Sequence, residues 1–492
     1  MTRLTQHLPA AARHSATRQS AARHSAARLA PLATLLLTLT GCASFSPDGG
    51  FAAVQKAAAD RLGTPAQLVW ARQPEDLDRI AERVGELLAG PLSMDDAVQV
   101  ALLNNRGLQA AYAELGIGEA EVVQAGRLPN PGFTFGRTTR GDEVETERGI
   151  HVNLARLIAM PLVQRVEARR LAQVRSTVAL QVLTLAADTR RAWVQAVASE
   201  ESARYSRQVM QAAEAGAELA RRMAQVGNFN KLQQAREQGF YADAALNLTR
   251  AGQHQRATRE RLTRLLGLWG EQAGFKLPER LPDLPREPRE LPDIERTALA
   301  QRLDVAAART GAEATARNLG LTRTTRFVNV LELGLVRNSS NEAPTQRGWE
   351  IGLELPLFDW GGARVARAES VYMQALHRAA ETAINARSEV REAYGAYRAA
   401  WDIARHQRDE IVPLKARIAE ENLLRYNGML IGVFELLADA RSQIASVNGA
   451  IDALRDFWVA QADLDMALVG KPGLGAFAAP AMAAAEAGGA GH

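Results

Sequence analysis

Cysteine is nearly absent from this 492-residue chain, which contains only Cys42. A single cysteine cannot form a disulfide within the chain, and no CxxC pair is present to suggest a metal or redox site. Aromatic residues are also scarce, at 5% of the chain against 47% hydrophobic residues overall. This composition favours long helices in close contact over a conventional globular core.

Familiar catalytic and metal-binding patterns are absent as well. The sequence has no phosphate-binding P-loop and no HExxH motif, and the pair Gly361-Gly362 lacks the further glycines of a nucleotide-binding loop. The eight histidines are scattered, and several lie near the chain ends, namely His7, His14, His24 and His492. We therefore expect no enzyme activity, no cofactor and no protein-bound metal.

The excess of positive charge is confined to the N-terminus. Residues 1–41 contain five arginines and no acid, so 54 of the 59 basic residues and all 55 acidic residues lie beyond them. Nucleic-acid binding needs a concentrated basic surface on the folded domain. The nearly neutral remainder predicts no nucleic-acid partner.

An apolar run at 29–40 follows the arginine-rich region. It is too short to span a bilayer as a stable helix, and its position predicts a secretory signal over residues 1–41. The run ends at Leu39-Thr40-Gly41-Cys42, which resembles the lipobox of bacterial lipoproteins. The resemblance implies that Cys42 is lipidated and, because Ala43 is not an aspartate, that the anchor lies in the outer membrane. The alternative is a buried structural cysteine.

Residues 162–226 contain no proline and a single glycine, Gly216. They predict one helix that, at about 1.5 Å per residue, would be about 100 Å long. Two adjacent apolar stripes indicate that this helix packs on two sides. The stripes consist of Leu171, Val174, Val178 and Leu185, and of Ala179, Val182, Ala186 and Trp193.

Apolar and polar residues alternate with a period of two in two segments, which predicts β-hairpins at about 132–158 and 327–356. Their polar turns are expected at Arg140–Glu147 and Asn338–Gln346. Pro161 is expected to close the first hairpin, so that the long helix begins after it.

The order helix, hairpin, very long helix, turn, helix occurs twice, which indicates an internal duplication. Tyr394 and Gly428 each lie 201 positions after Trp193 and Gly227. In the second repeat, Pro413 predicts a local irregularity in its long helix. The predicted parts are a leader at 42–90, a first repeat at 91–268 with helices at about 93–126, 162–226 and 231–266, a proline-rich linker at 269–292, a second repeat at 293–470 with helices at about 293–321 and 363–427, and a disordered tail at 471–492.

This duplicated order resembles the TolC family of bacterial outer-membrane efflux channels. Three motifs carry the resemblance: Leu128-Pro129-Asn130-Pro131, the segment from Leu355 to Gly362, and the segment from Gly428 to Arg441. The first repeat departs from the family because Pro161 lacks the Phe-Asp-Gly-Gly continuation. The resemblance implies a mainly α fold with a β-barrel part. Three protomers would each supply four strands to a 12-stranded barrel, and their helices would form a periplasmic α-barrel.

The resemblance also implies a function. The protein would be a homotrimeric, passive exit duct in the outer-membrane lipid, working with a periplasmic adaptor and an inner-membrane pump. The alternative is a periplasmic coiled-coil scaffolding lipoprotein without a pore. The hairpins discriminate between the two, because the duct needs lipid-facing strands and the scaffold needs strands in a soluble core.

The resemblance places the two helical turns at the periplasmic tip, where the adaptor docks and the channel closes. The candidate contact residues are Gly227, Asn228, Phe229, Asn230, Gly428, Met429, Leu430, Ile431, Gly432 and Val433. Candidate gate ion pairs involve Arg222, Glu237, Arg425, Glu435 and Asp439. The alternatives are ordinary turn packing and solvated surface charge.

Three acids of the second hairpin, Glu332, Glu350 and Glu354, fall on the face opposite its leucines. They would favour cations if that face lines a pore, or they are simply the hydrated face of a sheet. Trp349 belongs either to an interfacial aromatic belt or to the packing of the barrel wall.

Overall fold

A computed structural model describes residues 44–62, 66–325, 331–353 and 358–472. The predicted signal at 1–41, the lipidation site Cys42, Glu354 and nearly all of the predicted tail lie outside these residues. Within them the chain is mainly helical with one four-stranded antiparallel sheet. The predicted fold class is therefore confirmed.

Helices and strands follow the predicted duplicated order. The elements are α1 (Phe51–Leu62), α2 (Pro74–Leu88), α3 (Met94–Asn104), α4 (Arg106–Ala125), β1 (Gly132–Arg140), β2 (Glu143–Asn153), α5 (Leu154–Gln225), α6 (Lys231–Leu266), α7 (Ile294–Gln301), α8 (Leu303–Thr325), β3 (Leu331–Ser340), β4 (Gln346–Leu353), α9 (Gly362–His406), α10 (Val412–Asn427) and α11 (Val433–Val469). A short 3₁₀ helix at Gly270–Gly274 follows α6.

The sheet has the strand order β1-β2-β3-β4. Each hairpin pairs its own two strands, and β2 pairs with β3, so the two repeats contribute adjacent hairpins to one sheet. Asn341 also links the two hairpin turns, because its side chain accepts a hydrogen bond from the Val144 N–H at 2.7 Å and donates one to the Asp142 carbonyl at 2.8 Å. Within the described residues, β1 and β4 are the edge strands.

The first hairpin differs from its prediction at both ends. Its turn is two residues long, with Gly141 in the left-handed region at φ +59°, a backbone that tight hairpin turns require. The long helix begins at Leu154 and contains Pro161 instead of starting after it. The Asn153 side chain explains the early start, since its Oδ1 accepts a hydrogen bond from the Arg156 N–H at 2.8 Å and caps the helix.

Two helices that the sequence predicts as continuous are interrupted by one extended residue each, Asn105 and Arg302. At both interruptions the side chain contacts a backbone carbonyl near the end of the last helix of the same repeat. The Asn105 side chain donates to the Leu265 carbonyl at 2.9 Å, and the Arg302 guanidinium lies 3.4 Å from the Ala467 carbonyl. The Arg302 guanidinium, almost fully buried, also binds the carboxylates of Asp304 and Glu389 at 2.7 Å each.

The second long helix is not continuous over 363–427. It divides into α9 and α10 around a π-helical turn, Gln407–Ile411, which ends just before Pro413. Proline has no N–H to donate, and its ring would collide with the carbonyl four residues earlier, that of Asp409. A wider π-turn accommodates this defect, so the predicted irregularity near Pro413 is confirmed.

The chain divides into two compact units. The first contains Glu119–Ala168 and Thr325–Gly361, with the sheet, and the second contains most of the helices. Apolar clusters of the second unit bury aromatic side chains from different helices, including Tyr112, Trp193, Tyr397, Trp401 and Phe457. The indole N–H of Trp193 donates to the Leu92 carbonyl at 2.8 Å. Six of the eight predicted stripe residues are buried within the single chain, and Val174 and Leu185 are partly buried.

Packing against the helices fixes the proline-rich linker. Leu281 and Leu284 are buried in two of the clusters. The indole N–H groups of Trp401 and Trp458 donate to the carbonyls of Pro285 and Pro282, both at 3.0 Å. The linker thus closes over the helices of the second repeat.

Candidate functional site

The sheet has two chemically different faces, because successive side chains of a strand point to opposite sides. The apolar face consists of the odd-numbered residues of β1, β3 and β4 and the even-numbered residues of β2. One row across all four strands contains Phe133, Ile150, Leu335 and Trp349. These side chains are 65%, 53%, 66% and 70% exposed. The next row, Val152, Leu333 and Ile351, is apolar too.

The opposite side, here the glutamate face, is acidic and rich in glycine. Its acids are Glu143, Glu145, Glu147, Glu332 and Glu350, and every glycine of the four strands lies on it, namely Gly132, Gly136, Gly149, Gly334, Gly348 and Gly352.

Some of these glycines leave space for larger neighbours. A Cβ at Gly132 would lie 2.2 Å from the His151 ring, and one at Gly334 would lie 2.7 Å from Glu350. Glycine in a strand commonly marks such a close approach or a bend. At Gly132 and Gly334 the side chains of the glutamate face therefore pack closely, as they would on the inner side of a curved sheet.

The sequence correctly placed Glu332 and Glu350 on the face opposite the leucines, while Glu354 lies outside the described residues. It missed Glu143, Glu145 and Glu147, which were assigned to a polar turn. Their alternation with Val144 and Thr146 was the available signal, since it continues the strand pattern up to Asp142. Trp349 lies on the apolar face and is exposed in the single chain.

The first helical turn is closed by its glycine. Gly227 has φ +81°, and the N–H groups of Asn228 and Phe229 both donate to the Met223 carbonyl, at 2.9 and 3.3 Å. Asn230 then caps α6, accepting from the Gln233 N–H at 2.8 Å. Local hydrogen bonds thus give these backbone N–H groups of the turn their partners, and Phe229 is only partly exposed.

The second turn is built differently. Its glycine, Gly428, has an ordinary φ of −80°, and the left-handed residue is Met429, at φ +60°. A side chain in this conformation costs about 1–2 kcal/mol. Met429 is 93% exposed and Leu430 77%, so this turn presents a strained, apolar surface. Gly432 precedes α11 without a side-chain cap, and Ile431 and Val433 are partly buried.

The five charged candidates lie near the turns, but within the described part of the chain none pairs with another. Arg222 binds Glu218 of its own helix at 2.7 Å, and Asp439 accepts a hydrogen bond from the Asn422 side chain. Arg425 and Glu435 are exposed, and neither side chain has an ion pair among the described residues. The predicted gate pairs are therefore not formed within the described part of this single chain.

Glu237 has a partner that the sequence did not indicate. Its carboxylate, 2% exposed, binds the Arg441 guanidinium at 2.5 Å, which connects α6 to α11 across the two repeats. The guanidinium also lies 4.5 Å from the centre of the Phe240 ring. No sequence spacing relates Glu237 to Arg441, so only the fold could reveal this pair.

A carboxylate near the end of α5 is strongly acidic. Hydrogen bonds from Arg221 and then Arg222 lower the pKa of Glu218 to about 2. Because the folded pKa is below its ordinary value of 4.5, the pairs stabilise the fold above about pH 4.5. That contribution is lost as the pH falls towards 2.

Among the residues that the structure describes, no helix has a segment long and apolar enough to cross a membrane. No cluster of three or more His, Cys, Asp and Glu side chains is placed to hold a metal ion among them.

No family model matches the sequence, and no curated protein matches it significantly. Solved structures do match, and 23 chains resemble this one. The outer membrane protein VceC from Vibrio cholerae shares 15% identity over 77% of this chain and 96% of its own, with a TM-score of 0.64. The CmeC outer membrane channel from Campylobacter jejuni shares 16% identity over 82% and 89%, with a TM-score of 0.61.

The MtrE outer membrane channel of Neisseria gonorrhoeae, solved in its open state, gives a similar result. It shares 17% identity over 77% of this chain and 89% of its own, with a TM-score of 0.63. The chain therefore has the fold of these outer-membrane channels, as the duplicated order of elements predicts.

Proposed function

We propose that this chain is one protomer of a trimeric outer-membrane channel that serves as the passive exit duct of a tripartite efflux system. The observation that carries the proposal is the sheet, with large apolar side chains exposed on one face and glutamates and glycines on the other. Water on both sides of such a sheet would be unfavourable. Lipid against the apolar face and water against the glutamate face would give each face favourable surroundings.

The edges of the sheet support a trimer. Only closed barrels span lipid, because an open edge leaves backbone N–H and C=O groups without partners. Four strands are too few to close, and the smallest outer-membrane barrels have about eight. Pairing of β1 with β4 of the next protomer would satisfy both edges, and three copies would give the 12 strands that the family resemblance implies.

In such a barrel the glutamate face lines the lumen. Glu332 and Glu350, with the three acids of β2, would make it attractive to cations. The long helices would form the periplasmic part of the duct, as the family resemblance implies. Energy for export would come from the inner-membrane pump, since the comparison proteins are channels and the sequence carries no catalytic motif.

The adaptor contact is proposed at the two turns, Gly227–Asn230 and Gly428–Val433. Support comes from Met429 and Leu430, apolar side chains held exposed in a strained turn, a combination common at functional sites. Closure by Arg222, Arg425, Glu435 and Asp439 would require pairs between protomers. The Glu237–Arg441 pair would then make α6 and α11 move together when the duct opens.

Localisation in the outer membrane with a lipid on Cys42 completes the proposal. Its support is the sequence Leu39-Thr40-Gly41-Cys42 behind an apolar signal. The lipid would anchor each protomer in the membrane that surrounds the barrel.

The trimer is tested by disulfide cross-linking of the two edge strands. Thr134→Cys in β1 is combined in turn with Gly348→Cys, Glu350→Cys and Gly352→Cys in β4, because these residues share the glutamate face. The sole native cysteine, Cys42, leaves no competing thiol in the sheet. We expect one pair to give a covalent three-chain species in outer-membrane fractions, and the cross-linked protein to conduct ions in planar bilayers.

A matched control places the second cysteine on β3, at Asn338, which is an interior strand. It should give no cross-link between chains. The scaffold alternative predicts a different outcome, with no covalent three-chain species through the edge strands and no conductance. That outcome would overturn the proposal.

A further inference from the structure

The apolar face ends in a row of arginines. Arg148, Arg337 and Arg347 lie opposite one another on β2, β3 and β4, and all three are exposed. Phe135 of β1 completes the row. Like charges directly opposite on neighbouring strands destabilise a sheet, so this arrangement requires a compensating anion.

The described residues of the chain do not supply that anion. The apolar face carries a fourth arginine, Arg137, and no acidic residue on any of its four strands, whereas all five strand glutamates lie on the other face. None of Arg148, Arg337 and Arg347 has an ion pair with a described residue. All acidic residues of the strands therefore lie on the face opposite the arginine row.

The position of the row identifies the kind of anion. Each arginine lies two residues from the row of Phe133, Ile150, Leu335 and Trp349, which is about 7 Å along a strand. On the other side, towards the hairpin turns, the same face carries Thr146 and Ser339. The arginines thus mark the border between an apolar band and a polar end. Trp349 lies next to this border, and a tryptophan in such a position is typical of a membrane interface.

The side chains have the chemistry that phosphate requires. A guanidinium donates two parallel hydrogen bonds to a phosphate, and its apolar stem extends along lipid while the charged head reaches the interface. All basic side chains of the strands are arginines or His151, and none is lysine.

We propose that Arg148, Arg337 and Arg347 form a phosphate-binding row that holds the phosphorylated headgroups of membrane lipid at the hairpin-turn end of the sheet. The inference rests on the proposed function, which places the apolar face in a bilayer. In a trimer the row would recur three times around the barrel. An adjacent protomer would not cover it, because protomers pair through the backbone of the edge strands.

The test measures lipid binding by the purified full-length trimer with native mass spectrometry. The probes are diphosphorylated lipid A and the same lipid with both phosphates removed. We expect the wild-type protein to prefer the phosphorylated form by about tenfold or more, since each arginine near an anionic lipid surface contributes substantially to binding. This arm needs no variant. Equal binding of the two lipids would overturn the inference.

The second arm uses the triple variant Arg148→Gln, Arg337→Gln and Arg347→Gln, in which the preference should disappear while bilayer conductance remains. The matched control is Arg207→Gln, Arg250→Gln and Arg256→Gln, three exposed helix arginines without an ion pair among the described residues. It should keep the preference. Equal loss in both triples, or preferential capture of a polyglutamate probe over lipid A, would contradict the inference. If the wild-type protein neither inserts nor conducts, the proposed function itself fails.

Discussion

The sheet and the helical clusters of this protein distribute their large apolar side chains in opposite ways. In the helical unit Trp193, Tyr397 and Phe457 are buried, and nearly all described charged residues are at least partly exposed. In the sheet Leu335 and Trp349 are exposed, and the glutamates lie on the opposite face. Burial of apolar surface stabilises a protein only against water. The contrast is what the proposed function predicts, with water around the helices and lipid against one face of the sheet.

The second helical turn is one place where the helical unit also exposes apolar side chains. Met429 is 93% exposed and Leu430 77%. The left-handed backbone of Met429 distinguishes this turn. A surface of this kind suits a protein partner better than lipid.

The largest expected effect is the loss of a buried aromatic side chain from the helical unit. Trp193→Ala should destabilise the protein by about 3–5 kcal/mol, because it leaves a cavity and leaves the Leu92 carbonyl without its donor. Trp269→Ala, at an exposed tryptophan, is the control and should change stability by less than about 0.5 kcal/mol. Urea unfolding followed by circular dichroism measures both. Similar losses in the two variants would contradict the described core.

A charge on the apolar face is expected to be the next most damaging change. Leu333→Arg should destabilise the membrane-inserted protein by about 2–4 kcal/mol, the cost of arginine on the lipid side of a barrel. Val336→Arg, on the glutamate face of the same strand, should be tolerated because it faces water. The readout is the amount of trimer in outer-membrane fractions. Equal amounts for the two variants would show that the faces do not differ in surroundings.

The two turns allow a smaller and more local test. Met429→Gly should stabilise the isolated protein by about 0.5–1 kcal/mol by relieving the left-handed strain. Gly227→Ala, which introduces that strain into the first turn, should destabilise by about 1 kcal/mol. Thermal unfolding measures both. If Met429→Gly destabilises the protein, the turn is not strained as described.

The smallest effect concerns acid stability near the first turn. In the wild-type protein the Glu218 pairs weaken as the pH falls from about 4.5 towards 2, because the carboxylate with its lowered pKa becomes protonated there. Glu218→Gln should remove this part of the pH dependence, so that the variant is slightly less stable than the wild type above about pH 4.5 and the difference disappears as the pH falls towards 2. Melting temperatures of the two proteins across that range provide the comparison. Parallel curves throughout would contradict the assigned pairs.

Much of the fold could be predicted from the sequence because periodicity reports which side of an element is apolar. The hairpins, the first long helix and the duplication all follow from that pattern. The first long helix begins before Pro161, because the Asn153 side chain caps it earlier in the chain. At Pro413 the helix is irregular, as the proline predicts. The predicted domain boundaries remain predictions.

Contacts between distant residues could not be predicted. The Glu237–Arg441 pair and the Arg302 cluster join segments whose proximity depends on how the helices pack. The arginine row was hidden for the same reason, since Arg148, Arg337 and Arg347 become neighbours only through the pairing of three strands. The local sequence pattern shows on which face of a strand a residue lies, whereas its neighbours on the other strands depend on the register of strand pairing.

The proposed membrane location of the sheet rests on what surrounds each of its faces. Spin labels at single cysteines along β4, from 348 to 353, in the reconstituted trimer measure this by their accessibility to oxygen, which concentrates in lipid, and to a water-soluble nickel chelate. We predict strict alternation, with 349, 351 and 353 accessible to oxygen and 348, 350 and 352 accessible to the chelate. Uniform access of the chelate to all six positions would contradict a lipid-facing sheet.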